Sequence, residues 1–480
     1  MKLTPYPEYK DSGVPWLGQV PKHWEVLPHR ALFKEIKEQG HDTEPLLSVT
    51  ISKGLIRQSD LLTDSSKKDS SNLDKAKYKL VVPGDIAYNK MRAWQGAVGS
   101  SRFRGIVSPA YVVVRLRRPD SPDYFHFLFR TPGFAKEAER WSYGITSDMW
   151  SLRPEHFKMI YSCVAPRPEQ DAIVNFLRQL EIKVSRYIRN RRRLIEVLNE
   201  QKQAIINRAV TRGLDPNVRM KPSGIEWLGD IPEHWSMTTF GRFLQRIEQG
   251  WSPVAAEGEI LENQWSVLTL SCMSKGKFYS DAIKPIPVDA DVHDRMMIYD
   301  GDILISRSNT PELVGDCCIV DAPKDRTIIC DLIYRLKMIT SKIDSNFTLF
   351  FLLSPFTRHQ IRMDARGSSS TMVKLSHGHI RRWKIAVPPV KEQVQIAEHI
   401  MATKYPIELA IDRAKKEIQL IQEYRTRLIA NVVTGKVDVR GIAIQLPEEE
   451  LQKESLDFSV ELEEDSAYED AELGDDMEDE

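Results

Sequence analysis

The sequence has few cysteines and no long apolar run. Its 480 residues include five cysteines, which form neither a CxxC pair nor the CxxC…HxxxH spacing that closes a tetrahedral zinc site. We therefore expect reduced, structural thiols and no metal site. No stretch approaches the roughly 20 apolar residues of a membrane-spanning helix, and the N-terminal MKLTPYPEYKDSG lacks the apolar core of a signal peptide. The sequence predicts a cytoplasmic protein without a membrane segment.

Catalytic sequence motifs are also missing. A phosphate-binding loop, GxxxxGK followed by Ser or Thr, does not occur, because Gly276-Lys277 and Gly435-Lys436 lack both the preceding loop and the following hydroxyl. HExxH and GxSxG are absent. The single Pro-Pro pair, at 388–389, is not part of the Asn-Pro-Pro-aromatic motif of methyltransferases. We expect a protein that is not itself an enzyme and that binds no cofactor of its own.

The formal net charge of −1 hides a strongly uneven distribution. Residues 447–480 hold 17 Asp or Glu and one Lys, which leaves 66 basic and 51 acidic residues in 1–446, a net charge of +15. Such an excess attracts polyanions, most commonly nucleic acid, although solvated surface lysines and arginines give the same count. The acidic tail cannot bury enough apolar surface to offset its ordering entropy. We expect it to be disordered, either as a solubilising segment or as a weak competitor for the basic surface.

The chain is a tandem repeat. KDSGVPWLGQVPKHWEV at 10–26 recurs 211 positions later as KPSGIEWLGDIPEHWSM at 221–237, with nine identical residues. We call these two segments the tryptophan boxes. VPGDIAYNK at 82–90 then matches DGDILISR at 300–307, and a later Glu-Gln pair recurs at an offset of 223. Each half therefore consists of a tryptophan box, a variable globular part and a closing segment that begins with Pro and Glu-Gln.

Both closing segments are predicted to be long helices. In the first, apolar residues recur at alternating spacings of four and three with two polar interruptions, and Gly213 and Pro216 supply stop signals. In the second we expect a kink or a late start at Pro406. Since neither helix can bury its apolar stripe alone, we expect antiparallel pairing. The residues expected to pack between the helices are Ile173, Leu177, Leu180, Val184, Tyr187, Leu194, Leu198, Ile205, Ile407, Ile411, Ala414, Ile418, Ile421 and Leu428.

The globular parts have the pattern of mixed α/β structure. LVVPGDIAYN, GIVSPAYVVVRL, IYDGDILISR and TIICDLIYRLKM have the pattern of short strands, and two apolar segments have that of helices interrupted at Pro132 and Pro355. The predicted fold is two mixed α/β domains separated by two long antiparallel helices, in a pseudo-twofold tandem repeat. The expected boundaries are 1–166 (first domain), 167–213 (first helix), 214–389 (second domain), 390–440 (second helix) and 441–480 (tail).

The tryptophan boxes, the paired VAPRPEQDAIVNFL and VPPVKEQVQIAEHI, and the helices that follow resemble the specificity subunits of type I restriction-modification systems. The resemblance covers nearly all of residues 1–440 and leaves the tail outside. It implies that each globular part is a target recognition domain reading one half of a bipartite site in double-stranded DNA. It also implies that the helices bridge the domains and bind two methyltransferase subunits, which restriction and translocase subunits then join in phage defence.

The resemblance places all chemistry on partner subunits. S-adenosylmethionine, ATP and magnesium are then expected on those partners, and the assembled complex would be a type I site-specific deoxyribonuclease and adenine DNA methyltransferase. The main alternative is a stand-alone, two-headed DNA-binding scaffold of another defence system. Co-purification with an adenine methyltransferase would distinguish the two. An enzyme with an unrecognised site is disfavoured by the missing motifs.

Two polar segments in each copy are candidates for DNA contact. Arg and Lys can pair with guanine or grip phosphate, Asn and Gln match adenine, and hydroxyls beside a glycine suit phosphates or base edges. A solvated loop or a helix cap has the same composition, so both interpretations stay open. The candidates are Asn89, Lys90, Arg92, Trp94, Gln95, Thr146, Ser147 and Asp148 in the first copy, and Ser306, Arg307, Ser308, Asn309, Ser369, Ser370, Thr371 and Lys374 in the second.

The tryptophan boxes are interpreted as structural. Residues that read two different half-sites should differ between the copies, whereas residues that dock on a shared scaffold should match. We therefore expect the four tryptophans to pack against the helices and the two histidines to be structural; these residues are Trp16, Trp24, Trp227, Trp235, His23 and His234.

Two further charged groups have other interpretations. Asp85 and Asp302 belong to Gly-Asp turns that precede strands, and neither has a second acid nearby, so a metal site is not expected. Arg189 and the arginines at 191–193 form a basic cluster on the first long helix. A solvated helix face, attraction of DNA and a methyltransferase-docking edge all fit this cluster.

Overall fold

The computed structural model describes residues 3–51, 53–61, 75–144, 150–252, 258, 260, 261, 263–288, 290–365 and 372–442. These residues divide into two compact units. Unit 1 comprises the described residues within Met1–Arg191 and Lys415–Glu480, and unit 2 those within Arg192–Ala414. Each unit contains one globular part and one segment of each long helix.

The globular part of unit 1 mixes short strands and short helices. The strands are β1 (Tyr9–Asp11), β2 (Gln19–Pro21), β3 (Glu25–Pro28), β4 (Phe33–Ile36), β5 (Leu47–Thr50), β6 (Gly54–Arg57), β7 (Lys79–Val81), β8 (Ile86–Asn89), β9 (Val98–Ser100), β10 (Gly105–Val107), β11 (Tyr111–Leu116) and β12 (Tyr161–Val164). The helices are α1 (His29–Leu32), α2 (Pro122–Phe129), α3 (Pro132–Arg140) and α4 (Pro154–Phe157).

An antiparallel sheet of order β4-β11-β8-β9 forms the centre of this part. The β-branched run in β11 suits a strand with both faces covered. Val112 and Val114 face a core that includes Phe125 of α2, while Val113 faces a second, smaller core. The predicted break between α2 and α3 is confirmed, because Pro132 occupies the first turn of α3 and the preceding Thr131 caps it.

The first long helix, α5 (Arg167–Arg212), has 46 residues, or about 69 Å at 1.5 Å per residue. It ends where the sequence predicts, at Gly213 with a positive φ of 73°, a conformation that caps helices and that glycine adopts without strain.

Unit 2 contains the second globular part. Its strands are β13 (Met220–Pro222), β14 (Asp230–Pro232), β15 (Ser236–Thr239), β16 (Leu244–Gln249), β17 (Ser266–Leu268), β18 (Met273–Ser274), β19 (Lys277–Phe278), β20 (Ile283–Pro285), β21 (Ile303–Ser306), β22 (Ser308–Asn309), β23 (Cys317–Ile319), β24 (Thr327–Ile328), β25 (Ile333–Met338), β26 (Val373–Lys374) and β27 (Lys384–Val387). Its short helices are α6 (Ser345–Leu353), α7 (Pro355–Asp364) and α8 (His377–Arg382).

The central sheet of unit 2 repeats that of unit 1. Its order is β16-β25-β21-β23, again fully antiparallel. The four strands correspond in turn to β4, β11, β8 and β9, so the repeat extends beyond the segments whose sequences match. The break between α6 and α7 at Pro355, capped by Ser354, follows the same rule as its counterpart in unit 1.

The second long helix, α9 (Val390–Val433), contains Pro406 in its interior. Of the two expectations for this proline, the late start is therefore wrong, and the kink stays a prediction. A proline removes one backbone hydrogen bond, and the neighbouring Ile407 and Ile411 are buried, so packing of the apolar face offsets that loss. In the part of the chain that the structure describes, no helix is both long enough and apolar enough to span a membrane.

Candidate nucleic-acid interface and helix anchors

A buried carboxylate joins the first tryptophan box to α5. Glu169, in the first turn of the helix, accepts a hydrogen bond from the indole N–H of Trp24 at 3.0 Å, and its other oxygen lies 2.7 Å from His23 Nε2. Trp24 is fully buried and packs in a core with Leu428 of α9. The box therefore contacts both long helices within unit 1.

The second box is anchored in the same way. Glu392 of α9 accepts from the indole N–H of Trp235 at 3.0 Å and lies 2.8 Å from His234 Nε2. Trp235 is fully buried beside Gly213, at the end of α5. The prediction that these residues serve packing is confirmed for this tryptophan and for its counterpart, Trp24.

The other two tryptophans contact helices of their own globular parts. Trp16 contacts Gly133 and Phe134 of α3. Trp227 is 55% exposed and lies against His359 of α7. Packing of these two tryptophans against the long helices stays a prediction.

The glutamine after each anchoring glutamate is fully buried and saturated with hydrogen bonds. Gln170 accepts from the backbone N–H of Ser121 at 2.7 Å and donates to Asp120 and to the Ala165 carbonyl, each at 2.8 Å. In unit 2, Gln393 accepts from the Asp344 N–H at 2.8 Å and donates to the Pro388 carbonyl at 2.9 Å. The Glu-Gln pairs thus fix the start of each long helix to the adjoining globular part.

The long helices pack through the predicted stripe in both units, with one exception. In unit 1, Arg425 pairs with Glu181 at 2.9 Å, and Tyr187 donates to Glu417 at 2.8 Å, so the two segments run antiparallel. Buried members of the stripe are Ile173, Leu177, Val184, Ile407, Ile411, Ala414 and Leu428, and half-buried members are Leu180, Tyr187, Leu198, Ile205, Ile418 and Ile421.

Leu194 is the exception, with 38% of its surface exposed. It is the most exposed residue of the predicted stripe, and its packing between the helices stays a prediction. The preceding turn of α5 makes polar contacts instead: Arg191 lies over the Tyr187 ring and pairs with Glu417 at 2.9 Å. Within the basic cluster, Arg193 pairs with Glu196 of its own helix.

In unit 1, the first candidate loop lies at the end of β8. The Lys90 carbonyl accepts from the Leu152 N–H at 2.9 Å, and the Trp94 and Trp150 rings meet edge to face with centroids 5.7 Å apart. Arg92 and Gln95 are exposed, whereas Asn89 and Lys90 are half-buried. Trp150 and Leu152, which follow the second candidate segment in the sequence, thus contact the first candidate loop. Thr146, Ser147 and Asp148 lie outside the described residues.

Unit 2 makes the equivalent juxtaposition. The Leu375 N–H donates to the Arg307 carbonyl at 2.8 Å, and β22 pairs with β26, setting Ser308 opposite Lys374. Lys374 is exposed, and Asn309 is half-buried. Ser369, Ser370 and Thr371 lie outside the described residues.

Two candidates of this copy are unsuited to DNA contact. Ser306 and Ser308 are fully buried. Ser306 ends a central strand, and its hydroxyl donates to the Leu313 carbonyl at 2.9 Å. The prediction was wrong for both serines, because Ser306 belongs to the central strand β21 and Ser308 is buried in the short strand β22 that pairs with β26. Arg307 is half-buried, donating to the Asp331 carbonyl and lying over the Tyr334 ring.

The aspartates of the two Gly-Asp turns pair with basic side chains of a neighbouring strand. Asp85 accepts two hydrogen bonds from Arg115, at 2.6 and 2.9 Å, and Asp302 accepts from Arg335 at 3.1 Å and from Lys337 at 2.5 Å. Each aspartate therefore joins its turn to the neighbouring strand. Among the described residues, no group of three or more His, Cys, Asp or Glu is placed to hold a metal ion.

Burial shifts several titratable groups away from their ordinary behaviour. It lowers the pKa of His29 and of His126 to about 3 and raises the pKa of the Cys163 thiol to about 12. The five cysteines are buried and form no disulfide, as expected for inert structural thiols.

Sequence reasoning missed a further repeated element. The tripeptide Ser-Lys-Gly occurs at 52–54 and again at 274–276. Lys53 and Gly54 lie at the tip of the β5–β6 hairpin, and residues 274–276 lie at the tip of the β18–β19 hairpin. Ser52 is outside the described residues. The two tripeptides are 222 positions apart. This separation lies between the 211 positions that separate the tryptophan boxes and the 223 that separate the Glu-Gln pairs, so the repeat could have been found from the sequence. These two tips adjoin the candidate loops.

No family model matches the chain. It is 25% identical over 456 residues to a putative type I restriction enzyme MjaX specificity subunit of Methanocaldococcus jannaschii, covering 88% of this chain and 96% of that protein. The MjaVIII specificity subunit of the same organism is 22% identical, covering 88% and 95%.

Two further comparisons agree with these. The EcoEI specificity subunit of Escherichia coli is 23% identical over 200 residues, which span 42% of this chain and 33% of that protein. A chain in a solved structure of a type I restriction-modification system has the same fold, with a TM-score of 0.62 at 13% identity, covering 86% of this chain and 98% of that one. Over nearly its whole length, the chain is thus a homologue of the specificity subunits of type I restriction enzymes.

Proposed function

We propose that this chain reads a bipartite site in double-stranded DNA and carries the methyltransferase and restriction subunits of a type I restriction-modification complex. The observation that supports this proposal most strongly is that the same backbone hydrogen bond to the first candidate segment occurs in both units. Leu152 donates to the Lys90 carbonyl and Leu375 to the Arg307 carbonyl, so in each unit the described residues that follow the second candidate segment lie against the first candidate segment. The residues of these segments differ between the copies, as expected where two different half-sites are read.

The recognition domains in this proposal are residues 1–166 and 214–389. In the first, exposed Arg92 and Gln95 can reach base edges or phosphates. In the second, Lys374 is the exposed basic group beside the Arg307 segment. The net charge of +15 over residues 1–446 favours the approach of DNA to this chain in the cytoplasm.

The segments 167–213 and 390–440, which contain α5 and α9, are the proposed spacers, on which two methyltransferase subunits would assemble. The chain itself is proposed to be non-catalytic, with S-adenosylmethionine, ATP and magnesium bound by its partners. Calorimetric titration of the purified chain with S-adenosylmethionine should give no stoichiometric site. A tight site with one ligand per chain would contradict this assignment.

The decisive experiment is methylome sequencing of the host with and without this gene. Loss of adenine methylation at a two-part motif, on deletion of this gene alone, is the expected result. Co-purification of the tagged chain with an adenine methyltransferase separates the proposal from a stand-alone DNA-binding scaffold. An unchanged methylome and the absence of such a partner would overturn the proposal.

A further inference from the structure

Lys53 and Lys275 each precede a glycine in the left-handed region, although the two hairpin turns differ in length. Gly54 and Gly276 have positive φ values of 76° and 89°, which glycine tolerates far better than other residues. In unit 1, Thr50 pairs with Gly54 across the tip, and in unit 2, Ser274 pairs with Lys277. Each tip thus presents its lysine immediately before the glycine that turns the chain.

Each of these two glycines contacts side chains at the same two helical positions of the repeat. A Cβ on Gly54 would lie 2.9 Å from His126 Cε1 and 3.3 Å from Arg130, both of α2 or its C-terminal end. A Cβ on Gly276 would lie 2.7 Å from Leu353 and 3.9 Å from Leu349 of α6. These pairs correspond at the offset of 223. The seats differ in chemistry, polar in one copy and apolar in the other, so the seat does not explain why the lysine is the same.

Both tips adjoin the end of a candidate DNA loop. In unit 1, Arg130 donates to the Thr50 carbonyl at the tip and to the Gly96 carbonyl directly after Gln95, at 3.5 and 3.4 Å. In unit 2, the Lys275 N–H donates to Asp316 Oδ2 at 2.9 Å. Asp316 directly follows Gly315, which has a positive φ, as Gly96 has in unit 1.

A lysine kept at both loops suits a ligand that is the same in both half-sites. Base edges differ between half-sites, but the sugar-phosphate backbone does not. A lysine ammonium acts as a point charge toward phosphate and needs no directional partner. Lys275 is exposed and Lys53 is half-buried. We propose that Lys53 and Lys275 are equivalent phosphate contacts, one in each recognition domain, that grip DNA independently of its sequence. This inference rests on the proposed DNA-reading function.

The test is the salt dependence of DNA binding by the full chain with its co-purified methyltransferase. The probe is a duplex of arbitrary sequence, because a backbone contact requires no target site. The logarithm of the binding constant falls linearly with the logarithm of the salt concentration. Removing one phosphate contact should make that decline shallower by about one unit of slope. We expect that reduction in slope for Lys53→Gln and for Lys275→Gln, and about twice that reduction for the double variant.

Lys277→Gln is the matched control. Lys277 is exposed in the same hairpin, but its counterpart in the first copy is Leu55, so its removal should leave the slope unchanged. Thermal unfolding of each variant should match that of the parent chain.

Three results would overturn the inference while leaving the proposed function in place. These are an unchanged slope in the double variant, a loss confined to DNA carrying one particular half-site, and a loss of methyltransferase co-purification at an unchanged slope. The last would show that the tips bind a protein. Failure of the parent complex to bind any duplex would overturn the proposed function as well.

Discussion

Glu169 accepts the indole hydrogen bond of Trp24 at 3.0 Å while its other oxygen lies 3.3 Å from a guanidinium nitrogen of Arg440. Arg440 also lies over the Tyr6 ring. One carboxylate thereby joins the first tryptophan box, the first turn of α5 and the segment that follows α9. Removing it would leave a buried indole N–H without a partner.

Glu169→Ala should therefore lower the free energy of unfolding by about 2–3 kcal/mol, since the lost partner of a buried donor costs that donor its full desolvation penalty. The measurement is urea titration followed by circular dichroism. Glu8→Ala is the control, because the Glu8–Lys22 pair has side chains that are 65% and 67% exposed. It should change stability by no more than about 0.5 kcal/mol. Equal losses in the two variants would contradict the anchoring role.

The glycine after α9 makes a tight contact with the first tryptophan box. Gly435 has a φ of 75°, and a Cβ there would lie 2.3 Å from Pro21 Cδ. Gly435→Ala should lower the free energy of unfolding by at least about 2 kcal/mol, from strain and overlap together.

Two matched variants separate these causes. Gly213→Ala, with a φ of 73° and a nearest atom at 3.3 Å, should cost about 1 kcal/mol from backbone strain. Gly378→Ala, in α8 with its nearest neighbour at 3.7 Å, should be neutral or stabilising by up to about 1 kcal/mol. A Gly435 variant as stable as the Gly213 variant would argue against the close approach to Pro21.

His29 gives unit 1 a specific sensitivity to acid. Burial among Phe33, Phe129 and Phe157 lowers its pKa to about 3, against 6.5 for the free side chain. Between these values the unfolded chain binds a proton that the folded chain does not. The stability from the neutral imidazole is therefore complete above pH 6.5 and falls by about 1.4 kcal/mol per pH unit below it, until the pH nears 3.

His29→Phe should remove that dependence. Its unfolding free energy should fall less steeply than that of the parent chain between pH 7.5 and pH 5, by about one proton equivalent. Urea titrations at a series of pH values measure both slopes. The comparison is of slopes, so a constant cost from leaving the Ser162 hydroxyl without its 2.7 Å partner does not affect it. Identical slopes would mean that His29 titrates normally in the folded chain.

The repeated frames predict independent recognition by the two domains. Exchanging residues 27–160 for the equivalent part of a relative should change one half of the methylated motif and preserve the other, because the tryptophan boxes and both Glu-Gln anchors are retained. Methylome sequencing of the exchange strain reads both halves at once. A simultaneous change of both halves would contradict independent readout.

The regular parts of the fold could be predicted from the sequence because they rest on local, repeated signals. Period and stop signals located α5 and α9, and the prolines at 132 and 355 located the breaks between paired helices. The late start at Pro406 failed because propensity alone ignores the packing of Ile407 and Ile411. Strand pairing, which sets Ser308 opposite Lys374, depends on residues far apart in the chain, and no local pattern contains it.

The candidate interface could be predicted only in part, for a related reason. The sequence marks Ser306 and Ser308 as polar, but their burial depends on two different strand pairings that no local pattern contains. Trp16 and Trp227 match as closely as the anchoring tryptophans do, so identity between copies could not show which helix each would face. The Ser-Lys-Gly tips were detectable in principle, but three identical residues gain meaning only when both are seen to adjoin the same loop.

The two hairpins contact different side chains on the helix behind them. This difference restricts how new sequence variants can arise by recombination. Arg130 donates to backbone carbonyls of the hairpin in front of it, whereas Leu353 offers only hydrocarbon to Gly276. A crossover between the hairpin and its helix would combine parts of the two copies. Arg130 would then face the Gly276 hairpin, which packs against leucine, or the Thr50 and Ile51 carbonyls would lose the arginine that donates to them. Crossovers that preserve folding should then cluster in the tryptophan boxes and the Glu-Gln segments, which both copies share. Each hairpin would be exchanged together with its own helix.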